Sequence, residues 1–154
     1  MHHPSKSIMN KAITLAKERY REGGHAVAAL VVSGGGEIIA KDITTVNRDK
    51  DATCHAEINA LRQAMKILNS KTLPECYLYT TYEPCPMCTA AAIWAKMRGI
   101  IYGASRGDQN ENYPWRVYIP AQEVVERSEP KLELYPEFMR EECKALLKLK
   151  KIIF

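Results

Sequence analysis

Hydrophobic positions recur at helical spacing over residues 7–22, where Ile8, Met9, Ala12, Leu15 and Ala16 share a face, and Gly23-Gly24 ends the run. A short apolar, β-branched stretch over 26–32 predicts a strand, Ser33-Gly34-Gly35-Gly36 a turn, and 37–46 its hairpin partner. Residues 47–52 are polar and predict a loop. From Thr53 or Cys54 the helical period returns, with Ile58, Leu61, Ala64, Met65 and Leu68 on one side, and it stops near residues 69–71.

Residues 76–81 alternate and are rich in tyrosine, which predicts a strand. Glu83-Pro84 breaks it. Pro86 suits the first position of a helix running on to Met97, because its missing N–H would be unpaired there in any case. Gly99 ends that helix, and 100–104 predict another short buried strand. Strand, helix and strand this close together form a right-handed crossover that joins parallel strands. Residues 105–118 are irregular, with Tyr113 and Trp115 as isolated aromatics, and such loops beside a sheet often carry specificity. A helix over 120–128, a strand over 131–135 and a helix over 137–150 complete the chain. No repeat, low-complexity tract or linker interrupts it. Residues 1–154 are therefore expected to form one domain, an α/β mixed sheet of about five strands with helices on both faces.

Composition narrows the class. Hydrophobic residues at 46% and charged residues at 26% suit a soluble globular protein. No apolar run approaches the length needed to cross a bilayer, so no membrane partner is expected. The first residues have no long apolar stretch behind them, so a secretory signal is not expected. Five cysteines in such a chain point to a reducing cytoplasm, where paired cysteines signal metal or redox work. The formal net charge of +4 would suit an anionic partner, but the bases are scattered except over 144–151, which reads as a solvated helix face.

Candidate chemistry gathers in Cys54-His55-Ala56-Glu57 and Glu83-Pro84-Cys85-Pro86-Met87-Cys88. Residues three apart in a helix lie about 60° apart around its axis, so Cys85 and Cys88 project from one side of a first turn and can share an ion. Both sulfurs then sit at the positive helix end, which favours thiolate. His55 and Glu57, two apart, face one pocket only from the very start of a helix. One imidazole and two thiolates suit zinc, and three ligands leave a tetrahedral position open for water. Glu57 is then placed to take a proton from the attacking water and return protons to a ring nitrogen and to leaving ammonia. The backbone N–H of Ala56 and the carbonyl of Glu83 are candidates for holding the ring. Alone, Cys-x-x-Cys more often marks structural zinc or a redox pair; His-Ala-Glu with Pro-Cys-x-x-Cys is the signature of base deaminases. Cys54, Cys76 and Cys143 read as core, His25 as structural or solvent-facing, and Trp94 and Met97 as packing. Tyr113 and Trp115 fit either packing or base stacking.

Residues 47–104 resemble the cytidine deaminase superfamily, through Cys54-His55-Ala56-Glu57-Ile58-Asn59-Ala60-Leu61-Arg62 and Tyr79-Thr80-Thr81-Tyr82-Glu83-Pro84-Cys85-Pro86-Met87-Cys88. The branch is that of guanine deaminases, tRNA adenosine deaminases and related nucleoside deaminases, whose last helix residues 140–147 also resemble. The resemblance implies a three-layer α/β/α fold and one zinc ion per chain held by His55, Cys85 and Cys88. It further implies Glu57 as proton shuttle, a homodimer, and Asn47 as a contact to the substrate base or sugar. Asp108, Tyr113 and Trp115 are added as substrate-contact candidates from the irregular loop. Pro86-Met87 and Ala91-Ala92-Ile93-Trp94-Ala95 look more like guanine deaminases. Residues 105–110 lack the lysine- and glycine-containing pattern of the tRNA enzymes. A free nucleobase or nucleoside, guanine first, is thus the expected substrate. A tRNA adenosine, another purine, or cytosine or cytidine is the alternative, and a silent zinc-binding module the rival outside enzymology.

Overall fold

A computed structural model describes residues 1–149. The chain folds as α1 (Lys6–Gly23), β1 (Ala28–Val32), β2 (Ile38–Ile43), α2 (Val46–Asp49), α3 (Ala56–Ile67), β3 (Tyr77–Tyr82), α4 (Pro86–Trp94), β4 (Gly99–Ala104), a 3-10 turn (Arg106–Asp108), α5 (Ala121–Glu126), β5 (Glu133–Tyr135) and α6 (Arg140–Leu146).

The five strands form one sheet in the order β2-β1-β3-β4-β5. β1 runs antiparallel to both β2 and β3. β3, β4 and β5 are parallel, joined by α4 as the expected crossover and by the segment carrying α5. Helices α1 and α6 pack together on one side, while α3 and α4 pack on the other with α5 against α4, giving three layers. Every residue of β1, β3 and β4 is buried, as a sheet covered on both faces requires. Contact with α6 is especially close: a Cβ on Gly103 would come within 2.2 Å of the Cys143 sulfur. Cys54, Cys76 and Cys143 are buried, as expected. Among the described residues no helix is long and apolar enough to cross a membrane.

Several boundaries differ from the sequence expectation, most by one to three residues. β2 stops at Ile43 rather than Val46, and the loop at 47–52 begins with the single turn of α2. Asp49 makes that turn by accepting the Thr45 hydroxyl at 2.7 Å. Asn47 therefore sits on a helical turn, not at a strand end. α4 ends at Trp94, because Lys96 takes a left-handed conformation (φ 57°). Trp94 is not packing: it is 84% exposed. α6 begins at Arg140, since Glu137 and Met139 both have positive φ and form a turn instead. The end expected for that helix, at Lys150, lies outside the described residues.

Candidate active site

The ends of β2 and β3, the start of β1 and the end of β4 all meet at one edge of the sheet, where Tyr82 pairs with Ala104 and Ala28 with Ile43. Crevices at the carboxyl ends of parallel strands are the usual ligand sites of such sheets. Immediately beyond β3, Cys85 caps α4 and Pro86 stands in its first turn. Cys88 follows inside the helix and is fully buried. His55 caps α3 with extended backbone (φ −69°, ψ 154°), so its imidazole leaves the helix while Glu57 stays in the first turn. Asn59, one turn on, fastens this helix start to the α2 loop. Its amide donates to the Ile43 carbonyl at 2.9 Å and to the Thr45 hydroxyl at 2.8 Å.

His55 Nδ1 lies 3.6 Å from the sulfurs of both Cys85 and Cys88. The three atoms all fall within 4.8 Å of one another. Tetrahedral zinc with Zn–N of about 2.0–2.1 Å and Zn–S of about 2.3 Å requires N···S separations of about 3.6 Å. The three side chains thus fit zinc as they stand.

Their ionisation without metal is a shared one. Hydrogen bonding from the Cys88 thiol, helped by His55, holds the Cys85 sulfur as a thiolate with its pKa down to about 4, against the pull of burial. The same proton sharing and burial push Cys88 well up. One negative charge therefore serves the pair, and a divalent cation would displace the remaining proton. The Cys85 hydrogen bond raises His55. Glu57 is 3% exposed, and burial raises its carboxyl, opposed by the nearby His55. A carboxyl pushed toward neutrality in this way can both accept and give back a proton.

Glu57, His55 and Cys85 open onto a cavity of about 560 Å³, whose walls include His25, Asn47, Tyr82, Arg106 and Trp115. Asn47 Nδ2 also donates to the Gly23 carbonyl at 3.3 Å. Tyr113 reaches the cavity wall but is a packing residue at its hydroxyl, which accepts the Ala26 N–H at 2.8 Å. Trp115 lines the cavity half-buried.

Asp108, Ala56 and Glu83 are not among the lining residues. Asp108 pairs with Arg140 at 2.8 Å and caps the Ser105 N–H. Ala56 is fully buried. The Glu83 side chain accepts the backbone N–H groups of Arg106 and Ala121, each at 2.9 Å, and is 4% exposed. It ties both ends of the irregular loop to the end of β3.

Arg106, His25 and Asn59 were not among the expected site residues. Only Asn59 carried a sequence signal, as an amide one helical turn after His55.

Residues 3–104 match the family described as the cytidine and deoxycytidylate deaminase zinc-binding region. The guanine deaminase of Bacillus subtilis (strain 168) is 38% identical over 106 residues, spanning 69% of this chain and 68% of the relative. A tRNA-specific adenosine deaminase of Buchnera aphidicola subsp. Baizongia pistaciae is 32% identical over 147 residues, spanning 96% and 88%. Among solved structures, guanine deaminase from Nitrosomonas europaea matches with a TM-score of 0.79 at 25% identity, covering 96% of this chain and 84% of that one. The share of a relative's own length that is matched varies widely, from 7% in one to 88% in another. With the His55, Cys85 and Cys88 cluster in place, the chain belongs to the cytidine and deoxycytidylate deaminase family of zinc-binding enzymes, hydrolases of C–N bonds.

Proposed function

We propose that the protein deaminates a free nucleobase or nucleoside, with guanine the leading substrate, at the cavity where His55, Cys85 and Glu57 meet. The observation that carries this reading is Glu57, a buried carboxyl in the first turn behind the His55 cap and open to the same cavity as two of the three ligands. Bound zinc would supply the polarisation that makes water nucleophilic at neutral pH. Glu57 accepts the proton that water loses as it attacks the amino-bearing ring carbon. It delivers that proton to the adjacent ring nitrogen, then shuttles a second to the departing amine. For guanine the balance is guanine plus water giving xanthine plus ammonia. Asn47 is the positioning group for the base or sugar, on the cavity wall with its amide turned to Gly23.

Support for guanine comes from the guanine deaminases of Bacillus subtilis and Nitrosomonas europaea among the relatives. The Buchnera relative supports the alternative, a tRNA adenosine. Ammonia release from a panel of bases, nucleosides and an anticodon stem-loop separates them. Guanine is expected to rank first, with little dependence on salt. Turnover of the stem-loop alone, weakening steeply as salt rises, would replace this reading with the tRNA one.

A homodimer belongs to the same proposal, as the family resemblance implies, and Trp94, left 84% exposed on α4, is the side chain chosen to test it. Light scattering should give twice 17.4 kDa, and Trp94→Glu should shift the mass toward one chain. A wild-type mass of one chain at micromolar concentration would rule the dimer out.

A further inference from the structure

We propose that Arg106 and Trp115 form a donor pair that reads the carbonyl-and-imine edge of an oxopurine, so that this pair selects the substrate. The inference rests on the deaminase reading above and supplies the recognition that the metal bed itself does not.

Buried polar atoms are almost always hydrogen-bonded, so each exception calls for a partner. Among the described residues two buried side-chain nitrogens have none, Arg106 Nε and Trp115 Nε1. Both residues line the cavity that Glu57 and His55 open onto. Both nitrogens are covered within that wall rather than open to the cavity, and a base that brings acceptors against it would pair them as the two side chains turn toward it.

Arg106 is held in place for this. Its guanidinium lies over the Tyr82 ring, with Cζ 4.3 Å from the centroid, and its backbone N–H is fixed by Glu83. The Tyr82 hydroxyl in turn donates to the Tyr113 carbonyl at 3.0 Å, which fixes the ring beneath. Stacking and the backbone anchor keep this planar fork at the cavity wall. Among the described residues no carboxylate forms an ion pair with it, and Glu57 is the one acid on the cavity wall. Trp115 is held through its backbone N–H, which donates to the Gln109 side-chain carbonyl, leaving the indole N–H unpaired.

The chemistry of the ring then selects. In guanine the attacked carbon is C2, and O6 and N7 lie on the opposite edge of the ring, both acceptors. Arginine donating to that pair is the commonest specific contact made to guanine. A purine with hydrogen at position 6 leaves one donor unsatisfied, and an amino group there opposes donor to donor. Sites built on such pairs discriminate because their buried groups are stranded by the wrong ligand.

The test uses the zinc-loaded full chain with Arg106→Ala, Arg106→Lys and Trp115→Phe, each checked for zinc content and thermal midpoint. Calorimetry compares hypoxanthine, which has O6 and N7 but no amine to lose, with unsubstituted purine. Ammonia release compares kcat/KM for guanine with that for 2-aminopurine. The wild type should favour the oxo compound by on the order of 10- to 100-fold in both assays. Arg106→Ala should bring both ratios near one, Arg106→Lys should recover them only in part, and Trp115→Phe should reduce each about 10-fold. Unchanged ratios in Arg106→Ala with zinc retained would overturn the assignment. Because hypoxanthine binding needs no turnover, a protein inert on guanine but showing the Arg106-dependent preference refutes the guanine reaction and keeps this inference. Equal binding of hypoxanthine and purine by the wild type refutes the inference itself.

Discussion

Glu57→Gln is expected to lower turnover by about 10²- to 10⁴-fold, the usual contribution of a positioned acid–base group, while zinc content stays at the wild-type level. Glutamine keeps the shape and one acceptor oxygen but cannot carry a proton between water, ring nitrogen and amine. The fold should tolerate it, because in the metal-free protein Glu57 is already pushed toward its neutral form by burial. Replacing a carboxyl that costs desolvation with an amide therefore leaves stability nearly unchanged. The decisive pair of measurements is metal analysis and ammonia release on the same preparation. Full activity with full zinc would remove Glu57 from the mechanism, whereas loss of both would show that its role is to hold the metal bed together.

Cys88→Ala carries the second large effect. Cys88 is fully buried and its sulfur is one of three atoms placed to hold zinc, so alanine fits the space but would leave two. Zinc content and ammonia release should both fall, by more than about 100-fold in affinity, since even outer partners of metal ligands are worth 10–100-fold. Because zinc binds the folded chain, its removal also costs stability. At zinc 1,000 times its Kd the linkage is about 4.1 kcal/mol. Chelation should therefore lower the thermal midpoint of the wild type and leave Cys88→Ala unmoved. A variant that kept its zinc and its midpoint response would mean that the ion sits elsewhere.

The parts of this site that could be read from the sequence are those made by neighbours along the chain. Pro86 fixes the start of α4, and Cys85 and Cys88 then share a side by helical geometry alone. His55 and Glu57 can converge only at a helix start, and α3 begins between them. The crossover of β3, α4 and β4 follows from chain length and handedness. What could not be read depends on distant partners or on backbone that residue type does not announce. Glu137 and Met139 carry left-handed conformations without being glycine, so α6 starts late. Trp94 looks like core on an apolar helix, yet it points to solvent because Cys88 and Ala92 already occupy the buried side. Glu83 next to the cysteine motif suggests its carbonyl for the substrate, and nothing there announces that its side chain accepts two N–H groups far along the chain. Arg106 stands on the cavity wall through that anchor and the Tyr82 ring beneath its guanidinium.

The Glu83 clamp has a consequence for how this chain can be altered. A single carboxylate staples both feet of the segment from Arg106 to Ala121, and Asp108 on Arg140 and Tyr113 on Ala26 tie its interior down, so it should be exchangeable as a cassette when those ties are kept. On the reading proposed above, reaction type would rest on the two helix starts and appetite largely on that segment. Transplanting that cassette between relatives should carry preference with it and leave the chemistry behind.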